Sequence, residues 1–238
     1  MTRTAAASAV EDPFTGLPSV FSPVPLREGG DALSRAVALA PTRGAGTLPW
    51  VRAGGRAEVA VVLEPAVALR TARIALLAAL SAAADVLGLH GPPEVPTALR
   101  WPDTLLFNGA EVGRVRLAEP PGAAEDVPPD WLVVGLEVRL AWPAGWQPGH
   151  DPGRSSLEEE GFESVSSAGL VASWARHLMA TLADWEDGGF RTLAERVLAR
   201  LEPLDDTPAG ARRALDPATG DLLFVTGEER RRVPLVAP

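Results

Sequence analysis

Residues 99–119 read LRWPDTLLFNGAEVGRVRLAE, and the folding of the chain turns on how this stretch is interpreted. Two runs with strand character, 99–107 and 111–119, flank Asn108-Gly109, the dipeptide that most readily supplies the two positive-φ residues of a type I′ hairpin turn. Trp101-Pro102 stands near the start of the first run. Proline has no N–H to give to a ladder, so the pair belongs at a strand entrance or a sheet edge, where backbone is free to face a ligand.

Outward from this hairpin, both flanks alternate strands with helices. Upstream, 20–26 reads as a short strand in spite of Pro23 and Pro25, and Asp31 is placed to cap a helix over 32–39 by accepting backbone N–H bonds. A glycine-containing loop, 42–50, ends in Trp50; glycines of this kind let backbone approach a ligand closely. Residues 58–63 form a buried strand. Leu69, Arg73, Leu76, Leu77 and Leu80 recur at helical spacing through 66–87, which predicts one long helix packed on a sheet and stopped by Gly88. Downstream, 119–130 is a loop of Pro, Gly and acidic residues. Residues 131–140 begin as a continuous apolar run, as in a strand covered on both faces, and end in alternation. Residues 142–164 are irregular, with a solvated acidic run at 158–160. Ser166 or Ser167 then caps a helix with Leu170, Trp174, Leu178, Leu182 and Trp185 on one stripe, ended by Gly188-Gly189 and followed by a second helix through Leu193, Val197, Leu198 and Leu201. The predicted organisation is α+β: a loose arm over 1–19, one mixed-sheet domain over 20–204, a linker near 202–211, and a small C-terminal β element over 212–238 with a hairpin in 214–238.

The chain has 238 residues, 46% of them apolar, enough for a full core. Its longest apolar helical run carries Arg70, Arg73 and Asp85 and reads as a core helix rather than a membrane span, and the N-terminus lacks the layout of a secretory signal, so a cytoplasmic protein is expected. A formal charge of −9 argues against duplex binding. All 22 basic residues are arginine and there is no Cys, which excludes Schiff-base and P-loop lysines, disulfides and thiolate catalysis. His90, His150 and His177 have no metal-ligand spacing. No G-x-S-x-G elbow occurs, and Gly44-Ala45-Gly46 lacks the third glycine and the following helix of a dinucleotide fingerprint.

Taken in order, the 44–50 loop, the Trp-Pro hairpin and the 131–140 strand resemble the catalytic domain of biotin and lipoate protein ligases over roughly 20–200, most closely an uncharacterised branch with a short C-terminal domain of unknown function, which 214–238 would represent. The family's Lys-Trp-Pro-Asn-Asp strand falls on Arg100-Trp101-Pro102-Asp103-Thr104, its glycine turn on Asn108-Gly109, and its Val-Gly strand on Val133-Val134-Gly135-Leu136. By this resemblance the candidate ligand-binding residues are Arg43, Gly44, Gly46, Trp50, Arg100, Trp101, Pro102, Asp103, Glu111, Gly113, Arg114 and Arg116.

The departures from the pattern bear on chemistry. The family's lysine after the glycine turn falls at Glu111, its aspartate at Thr104, its loop arginines at Ala45 and Thr47, its glutamine at Pro41, and its Ser-Thr-Asn segment at Gly29-Gly30-Asp31; the loop is about two residues short. A unit-charge contact at about 4 Å is worth roughly 4 kcal/mol at an effective dielectric of 20, so Lys to Glu turns attraction into comparable repulsion. Three readings follow: a pocket for a small acyl or nucleotide-like ligand with degenerate catalytic residues; an active ligase using arginines, with ATP and biotin or lipoate; and a protein–protein module with a filled pocket. No DNA or membrane partner is expected, and the pattern leaves room for a homodimer.

Overall fold

The computed structural model describes Phe14 and residues 16–146, 151–163 and 165–236. The expected N-terminal arm lies outside these residues except at Phe14 and 16–19. The body is a seven-stranded mixed sheet. In chain order its strands are β1 (Ser22–Leu26), β2 (Thr47–Val51), β3 (Arg56–Leu63), β4 (Thr97–Arg100), β5 (Thr104–Phe107), β6 (Ala110–Ala118) and β7 (Leu132–Arg139). They lie side by side as β1-β2-β3-β7-β6-β5-β4, with β1 parallel to β2 and every other pairing antiparallel.

The apolar runs of β3 and β7 place them at the centre, where both faces are covered. One face carries Ala57, Val59 and Val61 of β3 and Leu132, Val134, Leu136 and Val138 of β7 into the larger core, under α3 (Ala75–His90) and α4 (Ser167–Gly188). The other face, with Ala60, Val62 and Val133, is covered by α1 (Ala32–Arg43), whose Ala32, Ala36 and Ala40 recur every four residues and allow close approach. The run Leu69–His90 has hydropathy enough to span a membrane, but 78% of its most apolar window is buried inside the protein.

Several expected boundaries move, each for a local reason. Residues 99–107 are two strands: the chain reverses at 101–103 around a cis Trp101–Pro102 bond, and Arg100 pairs with Thr104. Asn108 (φ 54) and Gly109 (φ 81) make the positive-φ turn that leads into β6. Thr42 and Arg43 belong to α1 and Thr47–Trp50 to β2, so the loop between them shrinks to Gly44–Gly46, with Gly44 at φ 69 capping the helix through its N–H to the Ala40 carbonyl. The single helix expected over 66–87 is α2 (Leu69–Ala72) and α3, joined by a turn tightened by three-residue backbone bonds, among them Ile74 N–H to Thr71. Gly88 does not stop α3. Gly91 does: it turns extended (φ −79, ψ 168) while its N–H donates to the Leu87 carbonyl, and it is packed too closely for a side chain, a Cβ there lying 2.8 Å from the rings of Phe107 and Phe162.

At the C-terminus, α5 (Phe190–Arg200) leads to a separate three-stranded sheet: β8 (Arg212–Leu215), β9 (Leu222–Thr226) and β10 (Glu229–Val233), in the order β10-β9-β8. The expected hairpin is thus a three-stranded meander. It is docked on the body, since Leu215, Leu222, Phe224 and Leu235 are buried in the larger core and the Trp101 indole N–H donates to the Pro234 carbonyl at 3.0 Å.

Candidate functional site

Under α1 the sheet face is apolar; beyond the N-terminus of α1 the same face becomes charged. Arg56 on β3, Glu137 and Arg139 on β7, and Arg114 on β6 occupy positions that alternate with core-facing Ala57, Val138 and Val115. A cavity of about 630 Å³ opens over them, its rim formed by Glu28, Ala53, Gly55 and Glu111 and its outer wall by Trp142, Trp146 and Arg154. Gly113 brings β6 against β7 at its floor: a Cβ there would lie 2.4 Å from the Glu137 carbonyl.

The register puts like charges opposite each other. Arg56 faces Arg139 across β3 and β7, and Glu58 faces Glu137. Such pairs are unfavourable in a sheet, and sequences break a local rule of this kind chiefly at functional sites. The carboxylates are partly offset by their own partners. Buried Glu58 accepts from Arg56 Nε at 2.8 Å and from the Ala32 N–H, at the start of α1, at 2.7 Å. Glu137 accepts from Arg116 at 3.3 Å. Arg56 also donates to the carbonyls of Glu28 and Gly30, tying β3 to the segment that begins α1.

Arg139 is half-buried and its guanidinium lies 4.3 Å from the Trp142 ring centre, donating to the carbonyls of Ser155 at 2.7 Å and Glu111 at 3.3 Å. Burial first, and then the neighbouring Arg154, push its pKa down, outweighing the opposite pull of Glu111 and Glu137. Trp142 and Trp146 stack in parallel, with ring centres 4.2 Å apart at 9°. The segment carrying this wall is stitched to the sheet: the Glu111 N–H donates to Gly153, the Ser155 N–H to Glu111, the Leu157 N–H to Arg139 and the Glu158 N–H to Leu140. Glu159 accepts from the Trp142 indole, so one of the three expected surface glutamates braces the wall.

Of the candidates named from sequence, Glu111, Gly113 and Arg114 line this cavity, and Arg116 adjoins it through Glu137. The others stand elsewhere. Arg43, Gly44 and Gly46 sit at the far end of β2, where Gly46 borders a second, mainly apolar cavity of about 740 Å³ with Phe21, Val61, Leu178, Leu182 and Trp185. The glycine connection beside the charged cavity is instead 52–55, between β2 and β3. Trp50 is buried edge-on against Phe14 at 4.8 Å. Arg100 lies 3.9 Å from Glu202, Trp101 and Pro102 form the turn under the C-terminal sheet, and the Asp103 carboxylate accepts from the Thr104 hydroxyl at 3.0 Å. Sequence reasoning missed Glu28, Arg56, Glu137, Arg139 and Arg154. The alternation of charge in 137–139 marks two of them; nothing periodic marks Arg154 or the tryptophan wall.

A model of the biotin/lipoate A/B protein ligase family matches residues 17–199. A biotin–[acetyl-CoA-carboxylase] ligase of Paracoccus denitrificans is 34% identical over 159 residues, 66% of this chain and 65% of that protein, so the match spans just under two thirds of that relative's length. Among solved structures, a biotin protein ligase-like protein of unknown function from Silicibacter sp. TM1040 superposes with a TM-score of 0.76 at 29% identity, covering 92% of this chain and 96% of that one. Biotin protein ligase from Aquifex aeolicus superposes with a TM-score of 0.68 at 14% identity over 90% and 95% of the two chains, a likeness of fold alone. The same Aquifex protein in complex with biotin and ATP gives 0.64 at 15% identity over 89% and 94%.

Proposed function

Because the chain belongs to the biotin/lipoate A/B protein ligase family, we propose that its arginine-rich cavity takes a small acyl or nucleotide-like ligand bearing a carboxylate or phosphate, at a site whose catalytic set is degenerate. One observation carries the reading: four arginines, Arg56, Arg114, Arg139 and Arg154, line one cavity beside a tryptophan wall, and half-buried Arg139 among them has a depressed pKa. Such a cluster is relieved by an anion, and the planar guanidinium suits carboxylate and phosphate. The open volume of the cavity speaks against a pocket filled by side chains.

Transfer chemistry is the second reading, favoured by Arg139 and Arg154 lying beside each other in the lining, a pair of cations suited to stabilising developing negative charge. The chain supplies no lysine, and Glu111 stands in the lining. Under this reading ATP and biotin or lipoate are the substrates, and the arginines bind and offset phosphate charge.

A thermal-shift panel with octanoate, biotin, lipoate, ATP and a non-hydrolysable acyl-sulfamoyl adenosine tests both. At a hundredfold excess over Kd a ligand stabilises by about 2.7 kcal/mol, which for a chain of this size raises Tm by roughly 5–10 °C. A shift with a free acid that is lost in Arg139→Met supports the binding reading. A shift with the adenylate analogue alone supports transfer. No shift with any of them overturns both.

A further inference from the structure

Resting on the reading of this cavity as an anion site, we propose that its ligand is a zwitterion, an acid or phosphate that also carries a primary amine, with the amine seated against Glu111. The backbone of Glu111 is fixed on both sides. It pairs with Leu106 of β5, its N–H and carbonyl are bonded to Gly153 and Ser155, and Arg139 donates to the same carbonyl. Glu111 lines the cavity, and among the described residues its carboxylate makes no hydrogen bond and no ion pair within 4 Å, acting on Arg139 only at longer range. Arg114, three residues on and lining the same cavity, is equally without a side-chain partner, so the two opposite charges stay more than 4 Å apart rather than neutralising each other.

Several charges here have a partner within the fold: Arg56 with Glu58, Glu137 with Arg116, and Arg154 with Asp151 at 3.6 Å, while Arg139 has two carbonyls and Trp142 but no carboxylate within 4 Å. Glu28 at the rim is the other lining carboxylate without a side-chain hydrogen bond or ion pair among the described residues, but it is solvent-exposed, whereas Glu111 is half-buried. A ligand carrying only negative charge would satisfy Arg114 and leave Glu111, on the same strand, without a partner. One that carries an ammonium group at the other end satisfies both, and a charge-assisted hydrogen bond to a carboxylate in a part-shielded site is worth about a tenfold gain in affinity.

Calorimetric titration of the full chain with octanoate, 8-aminooctanoate and 8-acetamidooctanoate tests this. 8-Aminooctanoate is expected to bind at least about tenfold more tightly than octanoate, and the acetamide, similar in size but uncharged at that end, to bind like octanoate. Glu111→Gln should bring the amine-to-parent ratio close to one; Arg114→Gln should weaken both ligands and leave the ratio unchanged. If the acids bind but the amine brings no gain, or Glu111→Gln leaves the gain intact, the inference is overturned and the anion site stands. If none of these ligands nor the acyl-sulfamoyl adenosine binds, the anion site itself fails and the inference with it.

Discussion

Glu58 joins the fold to the cavity, and its replacement is the sharpest stability experiment available. The residue is only 7% exposed, and its carboxylate makes two bonds at once, accepting from the Ala32 N–H at 2.7 Å and from Arg56 Nε at 2.8 Å. Glu58→Leu fills the space but leaves the Ala32 N–H buried without an acceptor and Arg56 without its carboxylate. A lost hydrogen bond to a charged group costs about 1.5–3 kcal/mol. Part of the two-bond loss is returned because Glu58 faces Glu137 across the sheet and that repulsion disappears. The net expectation is about 3 kcal/mol, or a fall in Tm of roughly 6–12 °C. Glu58→Gln keeps an oxygen for Ala32 and turns an amide toward Arg56, so about half the loss is expected. Urea unfolding of Glu58→Leu, Arg56→Met and the double variant reads the coupling directly, with a non-additivity of at least about 1 kcal/mol expected for residues in contact. A Glu58→Leu protein within about 0.5 kcal/mol of the parent, or strictly additive losses, would refute the claim that this carboxylate anchors the start of α1.

Two further substitutions separate backbone conformation from contact. Gly46 (φ +79) and Gly109 (φ +81) are both left-handed, but a Cβ on Gly46 would lie 2.2 Å from the Val20 carbonyl whereas one on Gly109 meets nothing within 4 Å; Gly109→Ala should cost about 1 kcal/mol and Gly46→Ala at least about twice that in urea unfolding. Asp31 caps α1 by accepting the Ser34 N–H at 2.8 Å, and that backbone bond holds its carboxyl below the usual 3.8. Its stabilisation is therefore full above about 3.8 and fades as pH falls through the lowered native value, so Asp31→Ala should cost about 1 kcal/mol at neutral pH, with the gap closing in strong acid.

What the sequence reveals of this fold is what short-range patterns encode. The unbroken apolar runs of β3 and β7 mark the centre of the sheet, Asn108-Gly109 marks its turn, and Ser166 marks the start of α4, where its hydroxyl accepts the Gly169 N–H at 3.0 Å. The break between β4 and β5 is less legible, because Leu99 and Leu105 continue one strand pattern across a turn that only Pro102 betrays. The cavity is harder still. Arg56 and Arg139, 83 residues apart in sequence, are brought together by the register between β3 and β7, which no local pattern carries. Trp142, Trp146 and Arg154 come from a segment without period, held in place by backbone bonds to β6 and β7. In Gly44-Ala45-Gly46 the glycines cap α1 and allow a close approach to Val20, and the loop borders the apolar cavity rather than the charged one.

The most direct test is a structure of the protein with a bound acyl-sulfamoyl adenosine. The sulfamoyl or carboxyl oxygens are expected within hydrogen-bond distance of Arg114, Arg139 or Arg154, with the ligand lying against the Trp142 wall. Density for the ligand in the apolar cavity beside Gly46 and Trp185, with the arginine cavity empty, would contradict the assignment of this site.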